Sequence, residues 1–398
     1  MKVLRAYKTE LNPNDRQRTM FFRCAGAARF VFNWALADRK QRYEEQELST
    51  NKFEQKRRFN EWKRRNAPWI YDVPYTLQEQ EFDNVDKAFQ AFFRRIKKGE
   101  TPGHPRFKKR NGRKRFTLRK CIHIESDRIK LPRIGWVRLK ESGYLPLDGT
   151  VKLLSVNISE RAGRWFISAQ VEETISDPSN DSTITIGADL GLKALVVLSN
   201  GKVFENSKPL HTAQRKLARL QRELSRRERG GANWHKTKAK LQKQHAKIAN
   251  IRKHILHDVS HHVTAVLKPK TVVLENLNVS GMMKNHRLAR AISDVGFAEL
   301  RRQIEYKAIW HGIEVIVADR WFPSSKVCSG CGCIRDKLTL SERTYTCEHC
   351  GLVIDRDLNA AKNLAALGEG RNTAGLPVEL ECRKALLRSR KLAAALAA

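Results

Sequence analysis

Four cysteines set the tightest constraint on how this chain can fold. Cys328-x-x-Cys331 and Cys347-x-x-Cys350 are separated by 15 residues, and each pair is followed directly by a glycine, Gly332 or Gly351. Glycine permits the tight left-handed turn of a metal knuckle, and four thiolates at this spacing suit one tetrahedral ion with no open position. A structural zinc ribbon over 325–352 is therefore expected, holding one Zn²⁺ that folds the loop and takes no part in catalysis. Cys24, Cys121, Cys333 and Cys382 are left outside it. A secreted disulfide scaffold is the competing use of cysteine, but no apolar leader follows the basic start, so the expected compartment is reducing.

The second constraint is charge. The 398 residues carry 77 Lys and Arg against 42 Asp and Glu, a net charge of +35. Self-repulsion of that size implies a polyanionic partner. A membrane surface is the alternative to nucleic acid, but the sequence has no apolar span long enough to cross a bilayer, and no membrane partner is expected. The cations are concentrated: 13 of them lie between Arg94 and Lys120 with Glu100 the single acid, interleaved with Phe107 and Phe116. Basic side chains mixed with aromatics serve phosphate contact and base stacking. A second run, 211–256, has 14 Lys or Arg against Glu223 and Glu228, and reads as a helical nucleic-acid groove wall broken at Gly230-Gly231.

Periodicity separates several regions. Residues 2–10 read as a strand, followed by a helix with Asn12 as its cap and Pro13 at its first position. Phe21, Cys24, Ala28, Val31 and Ala35 give that helix a buried face, and Phe82, Val85, Phe89, Phe92 and Ile96 do the same for a helix over 77–97. From 115 to 175 short alternating strands predict a small barrel or sheet, including a hairpin about Arg161-Ala162-Gly163. The linker 176–182 opens a new domain. ITIGADLGLKALVVLSNGKVF reads as two strands joined at Asn200-Gly201. A strand at 271–277, a helix at 295–310 stopped by Gly312, a strand at 313–319 and a helix at 355–367 then give an α/β alternation. The remainder, 368–398, is a basic, Ala-rich tail read as disordered.

Three carboxylates stand out within this frame. Asp189 sits in an apolar strand, sharing a face with Thr185 and Gly187; Glu275 is near the end of the strand TVVLENL; Asp357 begins the last helix. A buried acid paired with an arginine would explain any one of them. Together they suit two-metal phosphodiester hydrolysis, in which acids from separate elements hold ions about 3.5–4 Å apart. Oxygen ligation of this kind favours Mg²⁺ or Mn²⁺ over zinc. His254, His257 and His261 recur at helical spacing, but on so cationic a helix they read as an extension of its contact surface.

The order GADLGL, LENL, PSSKVCSGCG, TYTCEHCG and DRDLNAAKNLA resembles the TnpB family of transposon-encoded RNA-guided DNA nucleases, related to type V CRISPR effectors. Upstream the likeness extends through ISDVGFAELRRQIEYKAIWHG, GHPRFKKR, GAARFVFNWAL and LNPNDRQ. The resemblance implies an α/β RNase H-like (RuvC) nuclease core over 183–324 and 353–367 with the zinc ribbon inserted at 325–352. It further implies a wedge-type β-barrel from 1–11 and 98–175 carrying a helical recognition lobe at 12–97. The implied activity is cutting of double-stranded DNA beside a short target-adjacent motif, directed by a guide RNA from the transposon end, in the prokaryotic cytoplasm. Asp189, Glu275 and Asp357 become the magnesium-binding catalytic acids. Asp355 is the alternative to Asp357, since spacing does not choose between them. Gln78 matches a position near the target-adjacent motif, and Arg106, Lys108, Lys109 and Arg110 become candidate nucleic-acid contacts. The retained acids argue against nuclease-inactive RNA-guided repressors; a transposase acting directly on transposon ends is the remaining alternative.

Overall fold

The computed structural model describes residues 2–46, 50–146, 151–339 and 341–370. Cys382 and all but the first three residues of the expected tail lie outside them. The chain divides into two compact units, Met1–Ser176 and Asp177–Ala398.

The first unit starts with β1 (Lys2–Asn12) and three helices, α1 (Asp15–Gln46), α2 (Lys52–Asn66) and α3 (Tyr75–Lys97). It continues with β2 (Arg115–Leu118), β3 (His123–Ile124), β4 (Arg128–Leu131), β5 (Gly135–Leu139), β6 (Val151–Arg161) and β7 (Arg164–Thr174). All seven strands form one antiparallel sheet in the order β2-β6-β7-β1-β5-β4-β3. No ladder joins β3 to β2 among the described residues, so the backbone pairing is that of a sheet with two ends. The hairpin β6–β7 turns at Ala162 and Gly163, which have φ of 54° and 81°. Positive φ at both turn residues matches the twist of the flanking strands.

Asn12 does not cap α1, as its sequence position suggested. It ends β1, paired with Arg138. The cap is Asn14, whose Oδ1 accepts from the Gln17 amide at 2.9 Å while Gln17 Oε1 accepts from the Asn14 amide at 3.0 Å. This reciprocal pair satisfies two donors at the helix start. Phe21, Cys24, Ala28, Val31 and Ala35 are buried along α1 as the periodicity predicts. On α3 the predicted face is buried at Phe82 and Val85 and has emerged into solvent by Ile96. Sequence periodicity did not reveal α2, which is capped by Asn51 accepting from the Phe53 and Glu54 amides.

The second unit holds β8 (Thr185–Leu190), β9 (Ala194–Leu198) and β10 (Val203–Glu205), then α4 (Pro209–Arg226) and α5 (Ala232–His261). After β11 (Thr271–Leu274) come α6 (Val279–Met282), α7 (Ala289–Val295), α8 (Phe297–Trp310), β12 (Glu314–Val317), the short pair β13 (Thr344–Thr346) and β14 (Val353–Asp355), and α9 (Arg356–Gly368). The main sheet runs β10-β9-β8-β11-β12. In it β9 is antiparallel to both β10 and β8, while β11 is parallel to both β8 and β12. The stretch 184–204 forms three strands rather than the two expected, because the chain reverses at Gly191–Lys193 as well as at Asn200-Gly201.

One helix lies directly on the middle of this sheet. A Cβ at Gly187 of β8 would fall 2.0 Å from the Ala361 carbonyl oxygen and 2.5 Å from the Ala365 amide nitrogen of α9. A Cβ at Gly368 would fall 2.4 Å from Val273 Cγ2 of β11. Glycine at these two places, with Ala360, Ala361 and Ala365 between them, lets helix and strands meet backbone to backbone.

Candidate functional site

That close contact fixes the positions of the three acids. In the parallel ladder Ala188 pairs with Leu274, so Asp189 and Glu275 are the next residues of two adjacent strands. Asp189 shares the face of Gly187, two residues earlier, and that face is covered by α9. Asp357 lies in the first turn of α9. All three acids are partly buried. Burial first, then the charges of Glu275 and Asp357, together push the Asp189 carboxyl up to about 8; Arg356 opposes them, and Asp355 contributes least. Burial also raises Glu275. Among the described residues the oxygens of the three acids do not all come within 4.8 Å of one another. Asp189 and Glu275 are desolvated carboxyls, and Asp189 feels the repulsion of Glu275 and Asp357, a charge excess that a divalent cation would neutralise. Its donor set fits Mg²⁺ or Mn²⁺.

Asp355 has other work. It is the N-cap of α9, with Oδ1 accepting from the Asp357 amide at 2.9 Å and the Leu358 amide at 3.1 Å. Its carboxylate is thereby engaged locally, while Asp357 is left to face Asp189.

The four expected cysteines meet at the ribbon, their sulfurs all within 4.8 Å of one another. Cys328 and Cys350 are 3.6 Å apart, and Cys331 and Cys347 are 3.5 Å apart. A zinc ion with bonds of about 2.3 Å has tetrahedral edges near 3.8 Å, so the cluster fits a structural zinc. Gly332 and Gly351 adopt φ of 77° and 72°, as the knuckles require. Sequence reasoning missed what ties this ribbon to the acids. Asn359 and Asn363 of α9 are fully buried. Asn359 donates to the Val327 carbonyl at 2.7 Å and accepts from the Ser329 amide at 2.9 Å; Asn363 donates to the Ser324 and Val327 carbonyls, both at 2.7 Å. The i, i+4 spacing of the two asparagines was the available signal.

The basic segments are equally specific. In the first unit Asn33 of α1 holds the Lys108 backbone through two hydrogen bonds of 2.7 and 3.0 Å. Arg106, Lys109 and Arg110 are exposed, and the latter two line a cleft of about 530 Å³ together with Arg29, Arg113 and Lys114. Two expected contacts change role. Lys108 turns inward, paired with Glu81 and lying 4.0 Å from the centre of the Phe32 ring. Gln78 is buried, accepting from Lys63 Nζ at 2.9 Å and donating to the Ile70 carbonyl at 3.2 Å. Gln78 is thereby enclosed, whereas Lys108 is part-exposed and still lines the cleft beside Lys109 and Arg110. In the second unit, Glu223 accepts from Arg227 at 2.7 Å and from Thr237 at 2.9 Å, closing the α4–α5 hairpin. One of the two acids among the 14 cations is thus spent internally. His254, His257 and His261 form no metal-capable group among the described residues.

Comparison with known proteins agrees on a family. Residues 167–286 match the OrfB_IS605 profile, described as "Probable transposase", and residues 297–364 match a Cas12f1-like TNB domain. Residues 1–47 match a profile described as a helix-turn-helix domain, although here they are a strand followed by one long helix. A Streptomyces pristinaespiralis protein provisionally named an RNA-guided DNA endonuclease is 36% identical over 94% of this chain and 92% of its own length. InsQ of Escherichia coli K12, with the same provisional name, is 35% identical over 95% of this chain and 96% of its own. Among solved structures, the mini-RNA-guided endonuclease CRISPR-Cas phi3 superposes with a TM-score of 0.50 at 9% identity, over 94% of each chain, a likeness of fold alone.

Proposed function

The chain belongs to the TnpB (OrfB_IS605) family, and on that premise we propose that it is an RNA-guided, metal-dependent DNA endonuclease acting through one RuvC-like site. The observation that carries this is the desolvated Asp189 held against Glu275 and Asp357. A carboxylate in such a place weakens the fold unless a cation compensates it. Asp189, Glu275 and Asp357 would hold Mg²⁺ or Mn²⁺. The chemistry that such ions supply is activation of water and stabilisation of the leaving 3′-oxygen. The chain's own part is positional: β8 and β11 align two acids, α9 brings the third, and Asp355 fixes the turn from which it projects.

The partners of the proposal are a guide RNA from the transposon end and double-stranded target DNA next to a short motif. The exposed Arg106, Lys109 and Arg110 and the cations of α4–α5 supply its phosphate contacts. The first unit's seven-stranded sheet, open in its described pairing and not the closed barrel expected, is assigned to the wedge and α1–α3 to the recognition lobe, and the cysteine cluster supports a zinc ribbon at 325–352 set into the nuclease core.

The test is cleavage of a matched duplex by protein carrying its co-purified, sequenced RNA. Asp189→Ala, Glu275→Ala and Asp357→Ala should each abolish cutting in Mg²⁺ while RNA and target binding persist, because capture is spread over many separate cations. Near wild-type cutting by any of the three overturns the triad. Binding by the wild type without cutting either strand, in Mg²⁺ or Mn²⁺, would make the protein a guided repressor. Cutting of transposon ends without RNA would make it a transposase.

A further inference from the structure

The ribbon contains a second donor set. The sulfurs of Cys331 and Cys333 and a ring nitrogen of His349 all lie within 4.8 Å of one another. Neither Cys333 nor His349 belongs to the four-cysteine group, so Cys331 is the vertex the two sets share. We propose that Cys331, Cys333 and His349 bind a second thiophilic divalent ion of the zinc class, bridged through the Cys331 thiolate to the ion of the four-cysteine site. The inference rests on that first site being a zinc centre.

Three features support it. The donors are chemically matched: two thiolates and an imidazole are the ligands zinc takes, and three protein donors leave a fourth position for water. The set is also reachable, since Cys331 and Cys333 are half-buried and His349 is exposed. Electrostatics favours it too. A zinc ion held by four thiolates leaves two net negative charges on a ribbon that meets a polyanion. Adding one divalent ion with one further thiolate and a neutral imidazole reduces that to one. The bridge would also join the two knuckles a second time, because Cys333 follows the first and His349 lies within the second.

Fixed atoms make the knuckles good scaffolds for this. The Cys333 carbonyl accepts from the Cys328 amide at 2.9 Å, and Val327 pairs with Ile334, so Cys333 is held on the first knuckle rather than on a free loop.

The experiment measures ions bound per full-length chain by native mass spectrometry and elemental analysis, with buffered zinc and without magnesium. It uses Asp189→Asn protein so that the acidic site competes less for the added ion. Two ions are expected, falling to one in Cys333→Ser and in His349→Gln, with the remaining ion still tightly held. Replacement by ¹¹³Cd²⁺ should give two resonances coupled to each other through the shared sulfur. One ion in all three proteins, or a second ion unaffected by either substitution, overturns the proposal. No tightly held ion in the parent would instead overturn the four-cysteine zinc site. His349→Gln alters an exposed side chain, so it remains informative if Cys333→Ser fails to fold.

Discussion

Replacing Asp189 by asparagine keeps the shape of the side chain and removes its charge. In the folded protein the carboxyl is raised from 3.8 to about 8, first by burial and then by Glu275 and Asp357. An unfolded chain releases this proton near pH 4, whereas the folded one holds it to about pH 8. Between those values the native state binds more protons, so stability falls as pH rises through that window. At about 1.4 kcal/mol per pH unit, the loss between pH 4 and pH 7 is on the order of 4 kcal/mol. Asp189→Asn escapes it. In zinc-replete, magnesium-free buffer the variant should therefore melt above the wild type at pH 7 to 8, by on the order of 10 °C, and the gap should close toward pH 4. Adding Mg²⁺ should stabilise the wild type and leave the variant unchanged. Calorimetry across pH 4 to 9 reads both effects. Equal melting temperatures at every pH, or equal magnesium responses, would refute the reading of Asp189 as a strained acid awaiting a cation.

Gly187→Ala should cost roughly 3 kcal/mol or more, because its Cβ meets backbone atoms of α9 that cannot rotate away; chemical denaturation of the second unit measures it. Cys347→Ser should release zinc and loosen the ribbon, since structural zinc binding is itself folding free energy, on the order of 10 kcal/mol in small zinc domains; elemental analysis decides. Asn363→Leu should destabilise by about 1–3 kcal/mol by leaving the buried Ser324 carbonyl unpaired, and cleavage should fall further than RNA binding. Affinity for nucleic acid should drop steeply with salt, and Lys109→Ala with Arg110→Ala should flatten that slope, whereas Lys108→Ala should act on folding stability through Glu81 and Phe32.

Sequence alone disclosed the elements whose signals are local. The two cysteine pairs, the hairpin at Ala162-Gly163 and the apolar face of α1 depend on residues close in the chain. The acids were legible as unusual residues in apolar surroundings, but spacing did not choose between Asp355 and Asp357; the cap role of Asp355, accepting from the Asp357 and Leu358 amides, depends on a helix boundary that spacing does not give. Gln78 and Lys108 show what sequence hides in the opposite direction. Polar residues in a basic or motif-like stretch look available until a distant Glu81 or Lys63 is seen to engage them. The i, i+4 spacing of Asn359 and Asn363 marks a shared helix face but not its purpose, because their partners are main-chain atoms some 30 to 39 residues away.

The position of α9 in the chain bears on how the protein is made. Ribosomal synthesis delivers β8 and β11 long before Arg356–Gly368, so a nascent or prematurely ended chain has two of the proposed acids and most of the cations, but not the helix that covers Gly187. Such a product would gather nucleic acid without being able to cut it. On the proposed function, the order of synthesis leaves the cutting site incomplete until the last helix is made.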